Sequence, residues 1–522
     1  MDHLLEVDGY DLRIGAVVTH RYGTTGRMTA PGDVPANEFY EPRLRRPGNF
    51  ERAMFSSGAT AGAGRAAFGD IELINEDDGL DDLRNFAFDG RALRLFAIED
   101  GAPFASRVPV FTGSMEQAEI SEGQVVLRVR SRLEELTQDL QKTRFLGTTT
   151  ASGQGTAEGT PNDLKDRPKP LAFGRVREVP LAVVNAFDHL YQGAANAISS
   201  IEGIYEAGLP YTRVGTTQTT IAGLMSVSLL AGQYAAMLNP FIVRLGSKPT
   251  GIITADFTEG ATEADRCAAQ IVRRILLFAG KVEGVDFLAG DVARFAAEAS
   301  AEQGVWCAPQ DMSIRAPIDR ILAGVRGYLT EDRLGRFRMG QLRLPSGVPK
   351  ASLGDVELLE GSGGIEIVAS GDQGRGIPAA KVTLSHTALW QSFDDSMIAG
   401  SVSTERKAFL KEATRQAVAE DAAVRVRHLL ATEITRDTLL VQAAQASAEA
   451  TAVLAIYSAR REFVRIELPP EIGAGFDLAD VVRLRLPRLG FDAGKLFLVI
   501  AITEELGSAD DETARTILEL WG

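Results

Sequence analysis

Cysteine is nearly absent: Cys267 and Cys307 are the only two in 522 residues. Two thiols build neither a disulfide framework nor a four-thiolate metal site, so both are expected to be buried and inert. Histidine is scarce as well. His3, His20, His189, His386 and His428 stand far apart, and none falls in an H-E-x-x-H spacing. No run reaches the ~18 apolar residues that a membrane-spanning helix needs. The opening MDHLLEVDGYDL carries acids where a secretory leader needs a basic and then an apolar stretch, so cytoplasmic synthesis is the expectation. Neither G-x-G-x-x-G, nor a P-loop, nor a G-x-S-x-G elbow is present, which removes sequence support for a phosphate cradle or a serine hydrolase. Positive charge is in deficit, with 55 Lys and Arg against 70 Asp and Glu and a net charge of -15. That balance argues against a general nucleic-acid binder but leaves room for local basic patches.

What is present reads as soluble and β-rich. Hydrophobic residues make up 45% and charged residues 24%, an ordinary globular composition. The length suggests three or four domains at ~150 residues each. The 52 glycines are dispersed, as many turns between short strands require. Residues 1–150 alternate in short runs. Val125, Leu127 and Val129 share one strand face, and Val126, Arg128 and Arg130 the other. Residues 70–74 and 91–96 repeat the rhythm, and Asp89-Gly90 predicts a tight hairpin. Leu133, Leu136 and Leu140 predict a short helix. Residues 147–170, polar and rich in Gly and Pro, read as an excursion and a first boundary.

In the middle, Thr262 and Asp265 have capping-box spacing. Ala268, Ile271, Val272, Ile275 and Leu276 form an apolar helical stripe that Gly280 should end. Ile318, Ile321, Leu322 and Val325 predict a second helix, and 333–339 a turn into a strand. Residues 404–425 read as partly helical and 437–460 as a longer helix. Strands return at 463–468, 481–486 and 495–502, with Arg483 and Arg485 opposite Val482, Leu484 and Leu486. The expected division is a β domain at 1–150, a connecting segment at 151–210, an α/β domain at 211–351, and a second β domain with a helical insertion at 352–522.

Chemistry-bearing groups are sparse. Gly58 and Gly62-Ala-Gly64 suit a flexible loop or a tight assembly contact. The acidic run Asn75-Glu-Asp-Asp-Gly79, with Asp81 and Asp82, does not complete a twelve-residue calcium loop and reads as a solvated turn, with an ion site as the alternative. Three basic segments stand out: Arg43 to Arg46 between prolines; Arg128, Arg130 and Arg132; and Arg483, Arg485 and Arg488. They suit acidic neighbours or a channel wall, and equally solvated strand faces. No catalytic, cofactor-binding or metal-binding residue is assigned.

Several blocks then point to one family when taken in order. They are Phe68-Gly-Asp-Ile-Glu-Leu-Ile-Asn-Glu-Asp-Asp-Gly-Leu80 with Phe88-Asp-Gly-Arg91, and Phe111-Thr-Gly-Ser114 leading to Val125-Val-Leu-Arg-Val-Arg-Ser-Arg-Leu133. Gly159-Thr-Pro-Asn-Asp-Leu-Lys165, Arg167-Pro-Lys-Pro-Leu-Ala-Phe-Gly174 and Tyr191-Gln192 follow. The rest are Ile253-Thr-Ala-Asp256, Gly260-Ala-Thr-Glu-Ala-Asp265, and Asp480-Val-Val-Arg-Leu-Arg-Leu-Pro-Arg-Leu-Gly490 before Gly494-Lys-Leu-Phe497. Over nearly its whole length the chain resembles the tail hub (baseplate hub, tail tip hub) proteins of long-tailed bacteriophages and related prophages. The resemblance implies a multidomain β-rich fold with α/β insertions, and tail-tube-like barrel or sandwich domains near both ends that form a ring on oligomerisation. It implies a structural homotrimer at the distal end of the virion tail, made in the host cytoplasm and needing no cofactor. Its implied partners are the distal tail protein or tube ring, the tape measure protein, tip or fibre proteins, and genomic DNA passing without sequence-specific contact. Some related hub-region proteins carry hydrolase domains or cysteine-ligated iron-sulfur clusters; two cysteines cannot ligate such a cluster, and no hydrolase block is recognisable. The alternatives are a cell-wall or carbohydrate-active protein of the glycoside hydrolase class, needing converging carboxylates in a groove, and a non-catalytic receptor-binding module.

Overall fold

Alternation builds the first sheet. Leu5 and Val7, Leu93 and Leu95, Phe111 and Met115, and Val125 and Leu127 all point to one buried face. Their strands, Asp2–Asp11, Ala92–Ile98, Val108–Ser121 and Gly123–Arg130, are neighbours, with Ala16–Gly23 outside the first of them. The opposite face carries cross-strand ion pairs: Arg94 with Asp8 at 3.2 Å, Arg128 with Glu119 at 2.9 Å and Arg46 with Glu72 at 3.5 Å. These observations come from a computed structural model that describes residues 2–153, 156–359, 365–372, 375–507 and 514–522. Gln154 and Gly155, in the polar excursion, lie outside the described residues.

Two five-stranded sheets follow. One runs Leu209–Pro210, Ser200–Glu206, Ile253–Thr258, Leu171–Pro180, Gly304–Cys307; the other Ala182–Asn185, Leu190–Ala194, Phe241–Leu245, Gln233–Leu238, Thr212–Arg213. Phe241 of the second meets Phe257 of the first with ring centroids 4.7 Å apart. Helices Ala268–Phe278, Ala289–Glu298 and Arg315–Ala323 share one core with Phe173, Val305, Cys267 and Cys307. Both thiols are buried, and burial pushes the Cys307 thiol up to about 12. The last third holds a small sheet of Arg415–Glu420, Ala379–His386 and Thr432–Arg436 covered by helix Ala443–Tyr457. The final sheet is Ala351–Leu353, Val481–Leu484, Lys495–Glu505, Arg515–Trp521, Phe463–Leu468, Ile365–Val368. Its core joins Val464, Ile466, Val482, Leu484, Val499 and Leu518. The chain is a multidomain, β-rich protein with α/β insertions.

Gly280 ends its helix as expected: at φ +88° its N–H donates to the Leu277 carbonyl, and Lys281 N–H reaches Leu276. Thr262 and Asp265 do bond to each other, with Thr262 N–H and hydroxyl both 2.8 Å from the carboxylate. They bracket the start of a 3-10 turn at Ala264–Arg266, whose cap position is Glu263, and the helix starts only at Ala268, with Cys267 at its cap. The leucines at 133 and 136 sit on a 3-10 turn, Arg132–Thr137, rather than an α-helix. The segment from 404 to 425 contains a strand between two short helices, because Ala417 and Ala419 alternate onto the small sheet. Asp89-Gly90 makes a tight turn but no hairpin. The strands on either side, Phe86–Ala87 and Ala92–Ile98, both pair with Asp2–Asp11, so the turn interrupts one strand position.

Candidate functional site

The first and last sheets are joined by one bent ribbon. Leu44–Arg46 and Asn49–Ala53 form a single run broken at Pro47-Gly48; Arg65–Phe68 and Ile71–Asn75 form its partner, broken at Gly69-Asp70. In the first half Leu44 opposes Leu73 and Arg46 opposes Glu72, with a register shift between them; from Arg46 on the register holds across the bend, Phe50 opposing Phe68 and Ala53 opposing Arg65. At the bend Gly69 N–H donates to the Asn49 carbonyl at 2.6 Å. Gly48 adopts φ +89°, a left-handed conformation that a side chain would strain.

Each ribbon strand has a different outer neighbour. Ile71–Asn75 pairs with Gly123 to Leu127 of the first sheet, and Asn49–Ala53 pairs with Ala501 to Glu505 of the last. With each bent run counted as one strand, a path of paired strands leads from Ala16–Gly23 through the first sheet and the ribbon into the last sheet and on to Ile365–Val368. Packing reinforces the junction. Phe50 and Phe68 of the ribbon lie 4.7 and 4.3 Å from the Phe111 ring of the first sheet, centroid to centroid; such pairs contribute about 1 kcal/mol each beyond burial.

The ribbon tip is the glycine-bearing loop. Gly58 N–H donates to Glu519 Oε1 at 2.7 Å, and Ser57 Oγ to Glu519 Oε2 at 2.8 Å. Thr60 hydroxyl donates to Asp372 at 2.6 Å. A Cβ on Gly64 would stand 1.9 Å from the Leu329 carbonyl oxygen, and Arg315 donates to the Gly64 carbonyl at 2.5 Å. All of these contacts of the loop lie within the chain itself.

Under the ribbon lies a charged node that ties three regions together. Arg52, buried in the ribbon, stands 3.4 Å from Asp477 of the last sheet's loops. Arg132, leaving the first sheet, donates to Asp286 at 2.7 Å, to Glu135 at 2.9 Å and to the Gly335 carbonyl at 2.9 Å. Glu331, on the hairpin of Gly327–Glu331 with Phe337–Gln341, accepts the Arg132 backbone N–H at 3.0 Å. Burial pushes its carboxyl up to about 7, against the pull of Ser131, the Arg132 N–H and the charges of Arg52 and Arg132. Arg338 bonds Asp291 and reaches Asp477 at 3.3 Å, while Arg333 bonds Glu504 and the Ala474 carbonyl. Buried charges that depend on one another in this way stabilise little as a set, yet removing one leaves the others uncompensated.

The remaining sequence candidates fall elsewhere. Asp77 is held by both arms of Arg43 at 2.7 and 2.9 Å, and Asp82 by both arms of Arg13 at 2.7 and 2.8 Å. The Arg43 guanidinium keeps the Asp77 carboxyl well below its ordinary value. The acidic run is thus tied by arginines to neighbouring strands, and no group of three potential metal ligands occurs among the described residues. Burial lowers His3 to about 4 and lowers His20 and His386. Arg483 and Arg485 are exposed, with Arg485 on the Asp492 carbonyl at 3.2 Å. Only Arg132 of the flagged basic residues enters the node. Arg52 was readable in principle, since it sits between Phe50 and Met54 where alternation calls for an apolar residue. Clefts open at several places among the described residues, two of them large. One of about 730 Å³ lies between the two joined sheets and includes Ile98, Val108, Pro469 and Arg515. The other, about 580 Å³, is lined by Trp390, Asp319, Arg320 and Asp437.

No protein-family model matches the chain, and no curated protein matches it by sequence. Among solved structures, the chain is similar to the 43 kDa tail protein of prophage MuSo2 from Shewanella oneidensis. That match has 12% identity and a TM-score of 0.41, and covers 100% of this chain and 98% of the other. It is similar to a tail protein from Neisseria meningitidis MC58 at 10% identity and a TM-score of 0.43, covering 100% and 96%. A chain of a native gene transfer agent virion aligns at 15% identity and a TM-score of 0.40, covering 73% and 91%. These three are a prophage tail protein, a bacterial tail protein and a chain of a gene transfer agent virion.

Proposed function

We propose that this chain is a non-enzymatic hub at the distal end of a bacteriophage tail, a homotrimer that closes or adapts the tail tube and carries tip or fibre proteins. The carrying observation is the ribbon, which fuses two β modules of one chain into a single run of paired strands. Two modules in each of three copies would present six around an axis, the geometry implied by the sequence resemblance. Several of the resembling blocks fall on this path: Phe68 to Leu80 on the ribbon, Val125 to Leu133 beside it, and Asp480 to Gly490 in the last sheet. The polar faces of both sheets hold ion pairs such as Arg94 with Asp8 and Arg465 with Glu366. Arginines neutralised in this way offer passing DNA little to bind. Distal tail, tape measure and fibre proteins are the expected neighbours.

Electron microscopy of particles carrying the labelled protein tests the reading. Label at the tail tip is expected, and label on the capsid or along the tube would reject it. The cleft beside Trp390 favours one other reading, a glycan-active protein using Asp319 and Asp437. Release of peptidoglycan fragments that D319N and D437N both abolish would replace the structural hub with that enzyme.

A further inference from the structure

The path from Ala16–Gly23 to Ile365–Val368 has no strand beyond either end among the described residues, while Ala351–Leu353, Leu44–Arg46 and Arg65–Phe68 are outer strands off those ends. At one end Ala16–Gly23 is paired on its inner side with Asp2–Asp11. On its outer side the stretch around Arg21 to Gly23 is covered through backbone bonds with Glu41, and Arg21 Nη1 also reaches the Thr19 carbonyl at 3.3 Å. From Ala16 to His20 no strand pairs with that side among the described residues. This edge has none of the lysines, prolines or bulges with which exposed edges are usually blunted. Apolar side chains crowd it instead: Val17 is 52% exposed, and the adjoining turn exposes Leu12 at 64% and Ile14 at 68%. At the other end Ile365–Val368 pairs only with Phe463–Leu468 and exposes Ile367 at 47%. Its single carboxylate, Glu366, is turned to Arg465 at 3.1 Å. Neither edge presents an uncompensated charge that would repel the other.

We propose that these two edges meet between copies: the Ala16 to His20 edge of one chain pairs with the Ile365–Val368 edge of the next. The occupant is a second copy because the chain already joins its first sheet to its last by strand pairing through the ribbon. Pairing the free ends repeats that join across the subunit boundary. Two unlike edges make a head-to-tail contact, which closes into a ring when the rotation allows. Paired edges also satisfy backbone groups and cover Val17 and Ile367. The inference deepens the hub reading and rests on it for the ring.

The test uses the full chain with Val17→Cys and Ile367→Cys. Cys267 and Cys307 are buried, so the unmodified protein is the control. Mass by light scattering comes first, followed by a short bismaleimide and denaturing electrophoresis. The expected result is covalent dimers and trimers from the double variant, dimers from a mixture of the two single variants, and none from either alone. A ring that forms but yields no cross-link overturns the edge assignment and leaves the hub reading standing. Self-linking of Val17→Cys alone overturns it in favour of like-edge pairing. A monomer at every concentration overturns both. Val17→Lys with Ile367→Lys should keep the wild-type circular dichroism while weakening self-association roughly tenfold or more; unchanged association would also reject the contact.

Discussion

Glu331→Gln isolates the charged node beneath the ribbon. The Glu331 carboxyl is buried and raised from 4.5 to about 7, with desolvation the largest cause. A carboxyl raised by folding binds its proton more tightly in the folded chain than in the unfolded one. Its contribution to stability is therefore full below about pH 4.5 and falls as pH rises toward 7, then levels off. The shift corresponds to about 3 kcal/mol carried by the wild-type protein at pH 8. Glutamine keeps the shape and an oxygen for the Arg132 N–H but has no charge to desolvate, and Arg52 retains Asp477. The assay is hydrogen exchange of the Gly327–Glu331 and Phe337–Gln341 hairpin, read by mass spectrometry and corrected for intrinsic rates. Relative to its value at pH 4.5, the local stability of the variant should gain about 3 kcal/mol on wild type by pH 8. Most of the gain should fall between pH 4.5 and 7. A difference that stays flat with pH, or that moves toward wild type as pH rises, refutes the reasoning.

Four further outcomes test other links. Leu127→Asp puts a carboxylate into the first sheet's core, where Leu127 is buried, and should cost about 4 kcal/mol; unaltered melting and normal incorporation into particles would contradict the sheet assignment. Gly64→Ala should lower the melting temperature through its collision with the Leu329 carbonyl, at a cost of about 2 kcal/mol. Gly290→Ala, on an open face of its helix, should raise stability by about 0.5 to 1 kcal/mol, so the pair separates contact from composition. Residues 345–522 expressed alone lack the ribbon and leave the Ala501 to Glu505 edge bare. That fragment should be protease-sensitive, and a synthetic 44–75 peptide should protect it.

Periodicity within a single element was legible because it needs only neighbours in sequence. The Ala268 to Leu276 stripe, the Val125 and Leu127 face and the strands after 463 all appear where alternation or a helical repeat demands. Boundaries moved where backbone bonds outweighed pattern, as at Cys267, which caps its helix, and at Asp89-Gly90, where both flanks chose the same partner strand. The roles of Arg52 and Glu331 were not legible, because their partners lie hundreds of residues away and a lone charge in a short strand does not say what will meet it.

Short alternating runs, only two cysteines and the lack of the phosphate-loop and serine-elbow motifs could be read before any folding, since composition and spacing depend on none. That a ribbon of residues 44–75 belongs half to one sheet and half to another emerges only once the chain is folded. Strand pairing is a relation between distant backbones, and a strand's own residues specify which face is buried but not which neighbour lies alongside.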